Sequence, residues 1–213
     1  MIDFKAVIFD FGGVFTTSPV ENFARFERER GLPDRFIGGV IKESGDGGAF
    51  ARFERAEIEF EEFSRLFAAE TRAAGHEISG HEFAPLLEVS LKPEMLAAHA
   101  AVKRTGLKTG CITNNFAAAE KVGPRGREIV SILAGFDCVI ESSKAGVRKP
   151  EPRIYEMMLE ALALPASACI FLDDLGANLK PARDMGMTTI RVPFGDVLPA
   201  IDELSALLRL PLR

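Results

Sequence analysis

Residues 6–13 read AVIFDFGG, and this stretch decides the fold. Its apolar run, Ala6–Phe9, has the length and composition of a short strand that is buried on both faces. An aspartate and then two glycines follow the run, so Asp10 lies at the carboxyl end of the strand, where open parallel sheets bind their ligands. An aspartate that caps a turn explains this stretch equally well when it is taken alone.

Four further apolar runs of the same kind follow along the chain. Helical patterns, such as Ile154, Met157 and Met158, lie between the later runs. Strands that alternate with helices predict an α/β fold: a Rossmann-like parallel sheet with helices on both faces. The four runs are Leu107–Ile112, Phe136–Ile140, Cys169–Leu172 and Thr188–Val192.

The region between the first two strand runs has a different texture. Residues 17–92 lack convincing strand runs and carry phenylalanines at helical spacing, such as Phe60, Phe63 and Phe67. We therefore predict a helical cap domain over residues 17–92, inserted into a core domain formed by residues 1–16 and 93–213.

Composition and charge exclude several classes of protein. The chain has 213 residues, with 26 Lys and Arg against 31 Asp and Glu, so its formal net charge is −5. This balance argues against binding to nucleic acid or to an anionic membrane surface. The chain contains neither an apolar stretch of the ~20 residues that a membrane helix needs nor a signal peptide, and we expect a cytoplasmic protein. Cys111, Cys138 and Cys169 lie in apolar runs and are predicted to be buried, reduced thiols.

Polar side chains follow three of the later strand runs. Thr113 and Asn114 can donate hydrogen bonds to phosphate oxygens, although this pair is also a common helix cap. Lys149, held by the prolines that follow it, offers a point charge for an anion, although most lysines are simply solvated. Asp173 and Asp174 directly after a buried strand are costly unless a cation compensates them, and helix capping accounts for only one of them.

The order of these motifs resembles that of the haloacid dehalogenase superfamily. The stretches KPEPRIY, residues 149–155, and FLDDLGANLKPARDMGMTTI, residues 171–190, are similar to the phosphatase domain of soluble epoxide hydrolase. The superfamily motifs extend from Asp10 to Asp174, whereas the similarity of the cap is only general. The resemblance implies a Rossmann-like sheet with a cap after the first strand.

The resemblance also implies roles for the residues at the strand ends. Asp10 would be the nucleophile and would form an aspartyl-phosphate. Thr113 and Asn114 would hold the transferring phosphoryl group, and Lys149 would bridge that group and Asp10. The substrate would be a small phosphorylated molecule.

A magnesium ion is implied by the same resemblance. Asp10, Asp174 and the backbone carbonyl of Gly12 would bind Mg²⁺, Asp173 would act through a metal-bound water, and Asn178 would brace the acidic pair. The charges agree, because three carboxylates against one ammonium leave two negative charges at a site that must accept a phosphate. A divalent cation balances them.

Gly12 departs from the pattern of the phosphatases in this superfamily. They normally carry a second aspartate at this position, which protonates the leaving group and then activates water. Such a group typically contributes ~10²–10⁴ in rate. Three hypotheses follow: a Mg²⁺-dependent phosphatase, a catalytically impaired phosphate- or metabolite-binding domain, and a metal-independent dehalogenase. The adjacent carboxylates argue against the third, because without a cation they would repel Asp10.

Several isolated residues are predicted to be structural. His76 and His81 are expected in a solvated loop, because no third metal ligand lies nearby in sequence. His99 has the helical spacing of a packing residue. Arg52 and Arg55 lie near a glycine-rich segment and are expected to be solvated at the surface.

Overall fold

A computed structural model of the chain describes residues 3–115 and 123–213, and its centre is a parallel sheet of five strands. Numbered along the chain, the strands lie in the order β3-β2-β1-β4-β5. The predicted α/β class is confirmed. The strands are β1 (Ala6–Phe9), β2 (Lys108–Thr113), β3 (Cys138–Glu141), β4 (Cys169–Asp173) and β5 (Thr188–Arg191).

The register of the sheet aligns the carboxyl ends of its central strands. Phe9 at the end of β1 lies opposite Cys111 of β2 and Leu172 of β4. From β1 the chain adds β2 and β3 on one side and then returns to place β4 and β5 on the other. Such a reversal opens a crevice at the carboxyl ends of the strands, here beside β1. Asp10 and the residues that follow Leu172 are therefore brought together.

Eleven α-helices are described in residues 3–115 and 123–213. Those that follow residue 92 cover both faces of the sheet, as predicted: α6 and α11 pack on one face and α9 and α10 on the other. The helices are α1 (Pro19–Arg30), α2 (Phe36–Ser44), α3 (Ala49–Glu54), α4 (Phe60–Ala73), α5 (Gly80–Phe83), α6 (Pro93–Arg104), α7 (Gly123–Leu133), α8 (Ser142–Ala145), α9 (Pro152–Leu162), α10 (Gly176–Asp184) and α11 (Leu198–Leu208).

Residues 17–92, which form part of the connection between β1 and β2, carry α1 to α5 and are called here the inserted segment. Its helices enclose an apolar cluster of their own, in which Phe63, Phe67 and Phe83 are fully buried. A bridge between Thr16 and Leu91 joins the two ends of the segment. A separate core of this kind is what an independent unit needs, and the boundaries of the cap domain remain a prediction.

Smaller predictions have mixed outcomes. All three cysteines are free, but only Cys111 and Cys169 are buried, because Cys138 lies at the start of strand β3, at the edge of the sheet, where it is half-buried. His99 is buried and stacks on Phe136 with ring centroids 4.1 Å apart, as expected of a packing residue. No helix within the described part of the chain is long and apolar enough to cross a membrane.

Candidate active site

A buried lysine lies between two carboxylates at the carboxyl edge of the sheet. Lys149 is 1% exposed, and its Nζ lies 2.7 Å from Oδ1 of Asp10 and 2.8 Å from Oδ2 of Asp173. Asp10 directly follows β1 and Asp173 ends the neighbouring strand β4, so the sheet register places both carboxylates beside each other. Three of the residues predicted from sequence therefore meet at one point.

Asp174 faces the same point and is held from the inserted segment. The hydroxyl of Ser18, just before α1, donates a hydrogen bond of 3.0 Å to Oδ2 of Asp174. Gly13 lies so close that a Cβ atom there would fall 2.1 Å from the same oxygen, and its φ of +73° favours glycine. Gly13 is thus the glycine that this edge requires, and Ser18 is a contact that the sequence analysis missed.

The backbone of Lys149 is fixed by the side chain of Asn114. The amide Nδ2 of Asn114 donates to the Lys149 carbonyl at 3.0 Å, and the Lys149 N–H donates to Oδ1 of Asn114 at 2.9 Å. Asn114 therefore positions the lysine, and its predicted contact with a phosphoryl group remains a proposal. Thr113, the last residue of β2, is buried beside it.

Asp173 is held by hydrogen bonds from its carboxyl-terminal side. The side-chain amide of Asn178 lies 3.1 Å from each of its carboxylate oxygens, and the N–H of Leu175 donates to Oδ1 at 2.8 Å. The buried hydroxyl of Tyr155 in turn donates to the Asn178 carbonyl at 2.7 Å. Asn178 thus contacts Asp173 of the acidic pair, and Tyr155 extends the network into the core.

Charge crowding perturbs the ionisation of the site. Burial, reinforced by the charges of Asp173 and Asp174, raises the pKa of Asp10 well above its usual range despite the ammonium of Lys149. Burial and the charge of Asp173 raise the pKa of Asp174 to about 6. Burial alone would lower the pKa of Lys149, but Asp10 and Asp173 outweigh it and raise the pKa above its ordinary value. The lysine is charged, and the carboxylates exceed what it can neutralise.

The donor set at this edge fits a hard divalent cation. Asp10, Asp173 and Asp174 each offer a carboxylate oxygen, and the three oxygens lie within 4.8 Å of one another. In the described residues this is the one group of three such side chains that could hold a metal ion. Oxygen-only ligands with surplus negative charge suit Mg²⁺ rather than softer metals.

Gly12 leaves free space beside the nucleophile candidate. A Cβ atom at this position would have nothing within 4 Å, and its φ lies outside the left-handed region. The backbone therefore admits a side chain here that the sequence does not supply.

The isolated residues separate into two groups. His81 lies in α5 rather than in a loop, with Nε2 3.5 Å from Glu61, and His76 packs edge-on against Phe36. Arg52 is partly exposed, with ion-pair partners within the inserted segment. The expectation of a solvated Arg55 is wrong, because its side chain is only 11% exposed. It lies between Glu57 of the inserted segment and Glu151 of the core.

Comparison with known proteins identifies the family. Residues 4–186 match the haloacid dehalogenase-like hydrolase family. The chain is 36% identical over 216 residues to mouse acyl-CoA dehydrogenase family member 10, and the match covers 98% of this chain but 20% of that protein. It is 33% identical over 202 residues to pig bifunctional epoxide hydrolase 2, covering 88% of itself and 36% of that protein. The chain thus spans about a fifth to a third of these curated relatives, and the resemblance to epoxide hydrolase is confirmed.

Solved structures share the fold. A haloacid dehalogenase family enzyme from Bacteroides thetaiotaomicron, in complex with magnesium and inorganic phosphate, aligns with a TM-score of 0.59 at 20% identity. The alignment covers 91% of this chain and 96% of that one. Proteins named as phosphatases occur among the curated relatives, whereas L-2-haloacid dehalogenases occur among the similar structures. The fold alone therefore does not distinguish a phosphatase from a dehalogenase.

Proposed function

Since the chain belongs to the haloacid dehalogenase-like hydrolase family, we propose that it is a Mg²⁺-dependent phosphatase of small phosphorylated molecules. The observation that carries this proposal is the imbalance of the site: three buried carboxylates cluster together, and one ammonium contacts two of them. A site meant for a dianionic phosphate must gain positive charge, and a divalent cation supplies it.

The proposed reaction has two steps at Asp10. A carboxylate oxygen of Asp10 attacks phosphorus, a new P–O bond forms, and the bond to the leaving oxygen breaks with its electron pair. Water then attacks the phosphorus of the aspartyl-phosphate, and the P–O bond to Asp10 breaks. Inorganic phosphate leaves with the oxygen of the water, a proton passes to solvent, and the carboxylate is restored. Lys149 fixes the carboxylate of Asp10 through their ion pair. Together with Thr113 and Asn114, it would also contact the phosphoryl oxygens.

Magnesium would be held by Asp10, Asp174 and the carbonyl of Gly12, with Asp173 acting through a metal-bound water. When bound, the ion neutralises charge that develops on the phosphoryl oxygens. Asn178 keeps Asp173 in place, and Ser18 orients Asp174. The cap domain over residues 17–92, the absence of nucleic-acid partners and the cytoplasmic location remain predictions.

Gly12 narrows the proposed substrates. A glycine cannot protonate a leaving group, so acyl, aryl or anomeric phosphates should be favoured over plain alkyl phosphates. The same deficit should slow hydrolysis of the aspartyl-phosphate and give a burst of leaving group before steady turnover.

A screen of phosphorylated metabolites and aryl phosphates, with and without Mg²⁺, tests the proposal. We expect turnover that requires Mg²⁺ and favours good leaving groups. Release of halide from 2-haloacids without metal would instead indicate the dehalogenase. Binding of phosphate with no single-turnover release of product would indicate the impaired binding domain.

A further inference from the structure

A second buried ionic group joins the inserted segment to the part of the core that carries Lys149. Arg148 directly precedes Lys149 in the chain, and its Nε lies 2.6 Å from Oε2 of Glu54, at the end of α3. The two side chains are 15% and 8% exposed, although 94 residues separate them in sequence. One buried ion pair therefore joins α3 of the inserted segment to the residue that precedes Lys149.

A second bond fixes the same end of α3 to the core. The buried hydroxyl of Ser142 donates to the backbone carbonyl of Glu54 at 2.7 Å. Ser142 begins residues 142–151, called here the Lys149 segment. Since both the side chain and the backbone of Glu54 are bound by this segment, α3 and the segment cannot move apart without breaking both contacts.

The glycine-rich loop of the inserted segment, residues 45–48, belongs to the same cluster. Asp46 in this loop faces Arg148, with Oδ1 3.7 Å from Nη1, and its carbonyl accepts a hydrogen bond of 2.7 Å from Arg55. Glu151 accepts a hydrogen bond from the Arg148 N–H at 3.1 Å. Arg148 thus holds the loop, α3 and its own segment together.

We propose that Glu54 is a positioning residue for Lys149, which it places through Arg148 only when the inserted segment is seated on the core. This proposal rests on the proposed function of Lys149. Asn114 fixes the Lys149 backbone from one side, and the Glu54–Arg148 pair fixes the preceding residue from the other. When the pair is lost, Asn114 still binds the Lys149 backbone, but the side chain of Lys149 samples more positions. It therefore contacts Asp10 and a phosphoryl group for a smaller fraction of the time.

Electrostatics explains why the pair acts as a unit. Burial raises the pKa of Glu54 above its ordinary value even though the guanidinium of Arg148 opposes this shift, so the carboxylate depends on its partner for compensation. Breaking one side of a buried pair leaves an uncompensated charge, which favours separation of the two segments. The placement of Lys149 therefore depends on whether the inserted segment is packed against the core.

Glu54→Gln is the test variant, because it removes the charge with little change in shape. We expect kcat for an aryl phosphate to fall about 10- to 100-fold, by analogy with lost supporting contacts at metal sites. Glu54→Asp should recover part of the loss. Amide hydrogen exchange should become faster in residues 46–54 and in the Lys149 segment, while β4 remains protected.

Glu27→Gln is the matched control. Glu27 is also a buried carboxylate of the inserted segment, but its oxygens accept from the N–H groups of Arg35 and Ile37 and do not reach the core. We expect this variant to destabilise the segment without faster exchange around Lys149 and without the fall in kcat.

Binding of inorganic phosphate in the presence of Mg²⁺ separates the two proposals. Glu54→Gln should weaken phosphate binding in the wild-type background and have no added effect in Lys149→Met, because Glu54 acts through the lysine. Equal effects in both backgrounds, or unchanged exchange of the Lys149 segment in folded Glu54→Gln, would overturn the positioning role. Faster exchange in a protein that hydrolyses no phosphate ester would instead preserve the coupling and refute the phosphatase.

Discussion

The two buried ionic groups of this molecule differ in their balance of charge. At the junction, Glu54 meets Arg148 as one anion and one cation. At the sheet edge, Lys149 faces Asp10 and Asp173, with Asp174 beside them. A balanced buried pair needs nothing further and holds two segments together, whereas a surplus of carboxylates is tolerated only if something positive is bound. The Glu54–Arg148 pair is therefore a structural contact, and the carboxylate cluster is the candidate cation site.

Removal of the nucleophile should have the largest effect. Asp10→Asn keeps the shape of the side chain but cannot form an aspartyl-phosphate, so turnover should fall by at least about 10³-fold. Steady-state assays of the purified variant test this expectation.

Stability provides the control for that variant. Because the site is crowded with anions, neutralising Asp10 should leave the midpoint of thermal unfolding in Mg²⁺-free buffer unchanged or higher. Retained turnover would show that another group performs the reaction, and a collapse in stability would show that the site carries no surplus of negative charge.

Removal of a metal ligand should come next in magnitude. Asp174→Ala should weaken Mg²⁺ binding by more than the ~10- to 100-fold typical of lost supporting partners, because a direct ligand disappears. Ser18→Ala removes only the hydroxyl that donates to Asp174 and should weaken binding about 10-fold. Calorimetry with Mg²⁺ measures both, and unchanged affinity in Asp174→Ala would exclude that carboxylate as a ligand.

A side chain at Gly12 should have an intermediate effect of opposite sign. Open space around a Cβ atom and a φ outside the left-handed region mean that Gly12→Asp introduces neither a Cβ clash nor backbone strain. We expect turnover of alkyl phosphates to rise by ~10-fold, with a smaller gain for aryl phosphates, because only poor leaving groups need an acid.

Gly13 provides the contrast to Gly12. A Cβ atom there would fall 2.1 Å from Asp174 Oδ2, so Gly13→Ala should disturb the site and weaken Mg²⁺ binding. Comparison of the alkyl and aryl phosphate rates in the Gly12→Asp variant checks the prediction for Gly12. Equal changes for both substrates would show that the missing carboxylate at position 12 does not limit the reaction.

The sequence predicts the sheet and its polar edge because both depend on local signals. Buried strands appear as short apolar runs, and the residues that follow them share an edge by topology alone. The strand that ends at Asp173 and the neighbouring Asp10 are readable in this way. Only the boundaries differ, since β2 includes Thr113 and β4 includes Asp173.

The contacts that the sequence does not predict are long-range. Ser18 precedes α1 at a position typical of a helix cap, yet its side-chain oxygen accepts no hydrogen bond from the helix N–H groups, and its hydroxyl donates instead to Asp174, 156 residues away. Arg148 and Glu54 likewise resemble ordinary surface charges. No local spacing encodes such partners, because they depend on how the inserted segment lies on the sheet.

His99 is a third kind of buried ionisable group, with no ion-pair partner in the part of the chain that the structure describes, and it gives the smallest predicted effect. It packs on Phe136 and edge-on against Phe9 and Phe15, and its Nε2 has no hydrogen-bond partner among the described residues. Burial and the nearby ammonium of Lys103 lower its pKa to about 4, although Asp137 opposes the shift.

The sign of the resulting pH dependence follows from proton binding. Between pH ~6.5 and ~4 the unfolded chain binds a proton at His99 that the folded chain does not, so its contribution to stability is complete above pH ~6.5 and is lost as the pH falls. Allowing for solvent screening, the loss at pH 5 should be about 1–2 kcal/mol. Urea unfolding of His99→Phe and His99→Gln at pH 7 and pH 5 measures it. Relative to wild type, both variants should gain stability at the lower pH, and a difference that does not change with pH would show that His99 titrates normally in the folded protein.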